Sequence, residues 1–152
     1  MRWPAEHAGM AEPKVWVFFY GSYMNLDVLR EVDLVPEWWE VGRLGGLDIR
    51  IRPRANLIRS DRDSVYGIAA TATHAGLARL YAHARDVLGE VYLPEAVLVQ
   101  TLAGLWRPAL CYLCPAMALR PADNAYVERI IGPARDFGFP EWYLARLECF
   151  RA

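Results

Sequence analysis

Cysteine and histidine are scarce in this 152-residue chain, with three of each. Cys111 and Cys114 have the two-residue gap of a redox or zinc pair. No second Cys/His pair stands at metal-ligand spacing, because His7, His74 and His83 are scattered. The two cysteines also lie in an apolar, strand-like run, where residues three apart point to opposite faces. The thiols therefore read as buried hydrophobes in a reducing compartment. An excess of one charge is lacking too. The net charge of −1 gives no global field favouring nucleic acid or an anionic membrane. No apolar run is long enough to cross a bilayer. The stretch before Val15 has no continuous apolar segment and carries Glu6 and Glu12, unlike a leader. The expectation is a cytoplasmic protein in which a flexible segment, 1–14, precedes one domain, 15–152.

What is abundant is apolar and aromatic. Hydrophobic residues make up 55% of the chain and charged residues 23%, the balance of a globular domain with a real core. Six tryptophans are present. Aromatic side chains fill cores, line pockets and form self-association patches. Trp38-Trp39 is the candidate patch for a homodimer; the simpler expectation is one buried ring and one covering an edge.

Periodicity divides the chain into short elements. Val15 to Tyr20 reads as a buried strand. Asn25 is a good N-cap for a short helix through Val32. From Glu40 to Ile51 one or two strands break at Gly45-Gly46, with Leu47, Ile49 and Ile51 on one face. Alternation would put Arg50, Arg52 and Arg54 together on the other face, which reads as a solvated basic strand, although an arginine at a pocket rim could hold a carboxylate. Asn56 to Ile58 is short, Ser60 to Ser64 is a polar turn, and Val65 to Thr71 is a strand. Leu77, Leu80, Tyr81, Ala84 and Leu88 mark one face of a helix from His74, stopped by Gly89. Two strands follow, Val91 to Thr101 and Arg107 to Cys114. Asp123 caps a helix that Pro133 ends or kinks. Pro140 suits the first position of a last helix, Glu141 to Phe150. This order is not a regular βαβ alternation, so it predicts an α+β domain with a curled mixed sheet.

The most informative stretch is Val15 to Leu26, in which an aromatic strand breaks at Gly21-Ser22 and a helix follows at once. Such a junction presents bare N–H groups to a carboxylate or an oxyanion. Phe19-Tyr20-Gly21-Ser22 with Met24-Asn25 resembles the opening motif of the gamma-glutamylcyclotransferase-like family. Ala55-Asn56-Leu57-Ile58 with Val65-Tyr66-Gly67-Ile68 resembles its second landmark. Tyr92 with Val97 and Val99 resembles the strand after its catalytic helix. Tyr126, Ile130 and Ile131, followed by Gly138 to Tyr143, resemble its last helices. The resemblance spans Val15 to Phe150.

The resemblance implies a small, partly closed mixed β-barrel surrounded by helices. It also implies a reaction without cofactor or metal. The α-amino group of a γ-glutamyl amine or peptide attacks its own side-chain carbonyl, 5-oxoproline forms and an amine leaves. A carboxylate takes the ammonium proton and hands it to the leaving amine. Tyr20, Gly21 and Ser22, with Tyr92, would line the pocket and hold the developing oxyanion. The partner would be a small γ-glutamyl or other acidic molecule.

This chain departs from the family at the base. Counting from Leu80 puts Ala84 where the glutamate belongs, on the inward stripe with nothing to ionise. Counting back from Tyr92 lands on Asp86. Asp86 and then Glu90 are the first substitutes, followed by His83; Glu95 is a further one. Tyr23 replaces an asparagine common in the family. The expectation is thus a cyclotransferase-type lyase or acyltransferase using Asp86 or Glu90. The alternative is a catalytically inactive binding or interaction module on the same fold. Hydrolysis through Ser22 is disfavoured, since the turn lacks a second glycine after the serine.

Overall fold

In the computed structural model, which describes residues 12–152, five strands join edge to edge in the order β1-β3-β2-β4-β5 and the ring closes. Their ranges are β1 Lys14–Phe19, β2 Trp39–Ile51, β3 Ala55–Thr73, β4 Leu93–Thr101 and β5 Trp106–Leu113. Four pairings are antiparallel, and β1 lies parallel to β5, with Val17 opposite Leu110. The expected mixed barrel is therefore found, with α1 Leu26–Glu31, α2 His74–Leu88, α3 Asn124–Asp136 and α4 Glu141–Glu148 beside it. Of the segment expected to be flexible, residues 1–11 lie outside the described residues. Glu12 accepts a hydrogen bond from Ala75 N, and Lys14 already belongs to β1, opposite Thr73.

The long strands β2 and β3 form the wall on which the rest is hung. Gly45 pairs with Ser64 and Leu47 with Arg59, so one residue of β2 faces four of β3. The polar turn read at Ser60 to Ser64 is this bulge inside one strand, pinned by the Ser60 hydroxyl on the Asp63 carboxylate. The two-strand reading of β2 yields to one strand, because the bulge absorbs the break at Gly45-Gly46 without ending the pairing.

Helix ends follow local chemistry. Asn25, Thr73 and Asp123 each accept a backbone N–H at the start of α1, α2 and α3. Gly89 stops α2 at φ 75°, in the left-handed region. Pro133 does not end α3, which runs on to Asp136, and Pro140 caps α4 rather than opening it. Val127, Ile130, Ile131 and Ala134 form the buried stripe of α3; Tyr143 and Leu147 serve α4.

Cys111 and Cys114 are buried, as expected of hydrophobic thiols, but Cys149 is exposed. Burial pushes the Cys111 thiol up to about 12. Trp38 and Trp39 are both exposed, at 66% and 44%, so neither is the buried ring expected. Both lie where the chain enters β2 from a loop; Trp39 leans on Phe137, with ring centroids 5.4 Å apart.

Candidate functional site

Gly21 is where β1 gives way to the turn that starts α1. A Cβ there would stand 2.6 Å from Ala55 Cβ, so glycine is what lets the turn press against the start of β3. The turn closes through Met24 N to Gly21 O and Asn25 N to Ser22 O, both at 3.1 Å. The N–H groups of Ser22 and Tyr23 precede the first of these bonds and have no acceptor within the turn.

Ala55 is held on both its backbone groups. Its N–H donates to Tyr126 Oη at 2.9 Å, and its carbonyl accepts from Tyr92 Oη at 2.7 Å. Tyr20 Oη donates to Tyr112 O at 2.6 Å. One residue further along β3, the Asn56 amide clasps Cys114, accepting from its N–H and donating to its carbonyl. Tyrosines just after β1, in α3 and on the approach to β4 thus tie together the elements that meet at Gly21.

The space they border is a cavity of about 190 Å³. Its wall includes Tyr20, Gly21, Ser22 and Tyr92, together with Tyr23, Tyr81, Tyr112 and Tyr126. The four pocket residues named from sequence therefore share one cavity. Tyr81 and Tyr112 stack with centroids 3.8 Å apart, and Tyr23 meets Tyr81 edge-on.

The acids named from sequence stand elsewhere. Asp86 is exposed and paired with Arg85 at 2.9 Å; it is absent from the cavity wall. Its neighbour Ala84 is buried and does line the cavity. The helix runs uninterrupted to Leu88 and keeps Asp86 on its exposed side. Glu90 is buried, but its Oε2 accepts from Cys114 Sγ at 3.6 Å and it too is absent from the wall. Glu95 is paired with Arg59 on the barrel.

The charged groups that do reach the wall are Arg54, Arg129, Glu31 and His83. Glu31 and His83 are exposed. Alternation predicts Arg54 on a basic strand face, but β2 ends at Ile51 and the chain turns through Pro53 before β3 begins. That turn carries Arg54 to the cavity, where its guanidinium lies 4.8 Å above the Tyr126 ring.

Burial raises the phenols of Tyr20, Tyr23, Tyr81, Tyr92, Tyr112 and Tyr126 above their ordinary value of 10.0. They are neutral hydrogen-bonding groups near neutrality, not bases. The folded chain holds these protons more tightly than the unfolded chain. Their contribution to stability is therefore complete below pH 10.0 and is lost as pH rises beyond it. Thermal unfolding followed against pH should show the melting temperature falling above pH 10.0, with tyrosinate absorbance appearing as the chain unfolds. Tyrosinate absorbance from all these phenols in a still-folded chain at that pH would contradict this.

No family model matches the sequence, and no curated protein matches it. Solved structures do. A gamma-glutamyl cyclotransferase superposes with TM-score 0.76 at 20% identity, covering 91% of this chain and 89% of that one. An uncharacterized protein from Homo sapiens gives TM-score 0.77 at 20% identity, over 92% and 89% of the two chains. A yeast gamma-glutamyl cyclotransferase specific to glutathione gives 0.62 at 14% identity, over 90% and 95%. The chain has the gamma-glutamylcyclotransferase-like fold. That likeness is one of architecture, and it leaves the reaction to be argued from the cavity itself. Among the described residues no helix is long and apolar enough to cross a membrane.

Proposed function

We propose that this chain uses the tyrosine-lined cavity to bind a small acidic molecule and does not run carboxylate-driven cyclotransfer. The observation that carries the reading is Ala84, buried in the cavity wall on the helix face where a base would have to stand. Asp86 and Glu90 do not compensate, since one faces solvent and the other bonds Cys114. The polar groups that remain suit binding: neutral phenols, the N–H groups of the Gly21 turn and two guanidiniums. A pocket walled by aromatic rings with a few fixed polar groups is the usual form of a small-ligand site.

The test is a panel of γ-glutamyl amines, glutamate and 5-oxoproline, measured for binding and for turnover. At least one compound should raise the melting temperature. Saturation at about a hundred times Kd is worth about 2.7 kcal/mol, or roughly 5–10 °C for a domain of this size. No 5-oxoproline should be released from any γ-glutamyl amine.

A second reading rests on His83, which also lines the cavity and whose imidazole can take and return a proton. In that case the wild-type chain would release 5-oxoproline, and His83→Gln would stop it while leaving ligand binding in place.

A further inference from the structure

The charges around the cavity do not match a ligand carrying a free ammonium group. Arg129 has a carboxylate neighbour, Glu31, at 4.0 Å. Arg54 is half-buried and forms no ion pair among the described residues. Its guanidinium carbon lies 4.8 Å from the centre of the Tyr126 ring, a cation–π contact that holds the group at the cavity wall, and a guanidinium can donate the two parallel hydrogen bonds that a carboxylate accepts. Glu31 is the one acid on the wall among the described residues, and its side chain is 71% exposed.

Three of the wall's tyrosines have a ring face already taken. The Tyr126 face already carries Arg54, and Tyr81 and Tyr112 cover one another. Apart from the two guanidiniums and the exposed Glu31 and His83, the polar groups of the wall are hydroxyl groups and turn N–H groups. Those groups suit an amide: hydroxyls and turn N–H groups can donate to its carbonyl, and hydroxyl oxygens can accept from its N–H.

We infer that the cavity selects small carboxylic acids whose nitrogen is neutral, as in a lactam or an N-acyl amino acid, over the matching zwitterions, and that Arg54 anchors the carboxylate. This rests on the small-acid reading above and adds a charge rule to it. A zwitterion brings its ammonium among two guanidiniums with no buried acid to receive it. Burying a charge without a partner is disfavoured, whereas burying a satisfied amide is not.

Titration calorimetry on the full chain tests this with matched pairs: 5-oxoproline against proline, and N-acetylalanine against alanine. The acid with neutral nitrogen should bind at least about tenfold more tightly in each pair. Arg54→Gln should weaken its binding by about tenfold or more, and Arg54→Lys should retain part of the affinity, with melting temperatures near wild type. Equal or tighter binding of the zwitterions would overturn the charge rule while leaving the small-acid reading standing. Unchanged affinity in a folded Arg54→Gln chain would overturn the anchor. If Arg54→Gln does not fold, Arg54→Lys decides the anchor: a partial loss of affinity in a folded chain supports it, and full retention overturns it. Failure of every acid in the panel to bind, charged or neutral at nitrogen, would remove the small-acid reading and the inference with it.

Discussion

Replacing Ala84 by glutamate is expected to give the chain a measurable release of 5-oxoproline from γ-glutamyl amines, about a hundredfold or more above the uncatalysed background that wild type shows. The estimate is the usual worth of a positioned general base. Ala84 faces the cavity from the third turn of α2, within a wall that also holds Tyr81 and Leu88. A glutamate there would place a carboxylate among buried phenols, where desolvation raises its pKa toward the range useful for proton transfer. It would also supply the acid that an ammonium now lacks, so zwitterionic ligands should gain affinity at the same time. Ala84→Gln has nearly the same volume and no proton to exchange, so it should stay at the wild-type level. Product from both variants would show that the added bulk, not the base, matters. No product from Ala84→Glu with a γ-glutamyl amine demonstrably bound would sink the account, because the missing carboxylate would then not be what separates this cavity from a reactive one.

The inward face of α2 was legible because helical spacing fixes which residues share a face. Leu77, Leu80 and Ala84 fall on it whatever the rest of the chain does, and all three are buried. Gly21 and Ser22 were legible because a glycine ending an aromatic strand leaves few alternatives. Arg54 was misplaced because alternation was extended past the end of β2. Pro53, one residue earlier, is the signal that the strand had already closed. The ring of tyrosines was only half visible. Tyr20 and Tyr92 were named from the motif. Tyr81 and Tyr112 lie 31 positions apart and meet only because β5 returns beside β1. Such contacts are set by barrel closure, which no local pattern encodes. The burial of Glu90 was equally out of reach, since it depends on Cys114 arriving from the end of β5.

Barrel closure also decides where a single methyl group should do the most damage. Gly67→Ala is expected to destabilise the chain by about 3 kcal/mol, the upper part of the range for overpacking, lowering the melting temperature by roughly 6–12 °C. An added Cβ would stand 2.2 Å from the Phe19 carbonyl oxygen and 2.9 Å from Phe18 Cζ. Both neighbours belong to β1, whose Phe18 and Phe19 are buried. A flexible side-chain tip could step aside, but a backbone carbonyl in a paired strand cannot move without shifting the strand. Phe19 is two residues before Gly21, so that shift should reach the cavity. Gly67→Ala should therefore weaken small-acid binding as well as stability, whereas an alanine at Gly45, which has nothing within 4 Å, should do neither through crowding. Chemical denaturation of the two variants, with ligand titration of each, separates these outcomes. A Gly67→Ala chain as stable as wild type would mean that β1 does not press on β3 as closely as the fold requires.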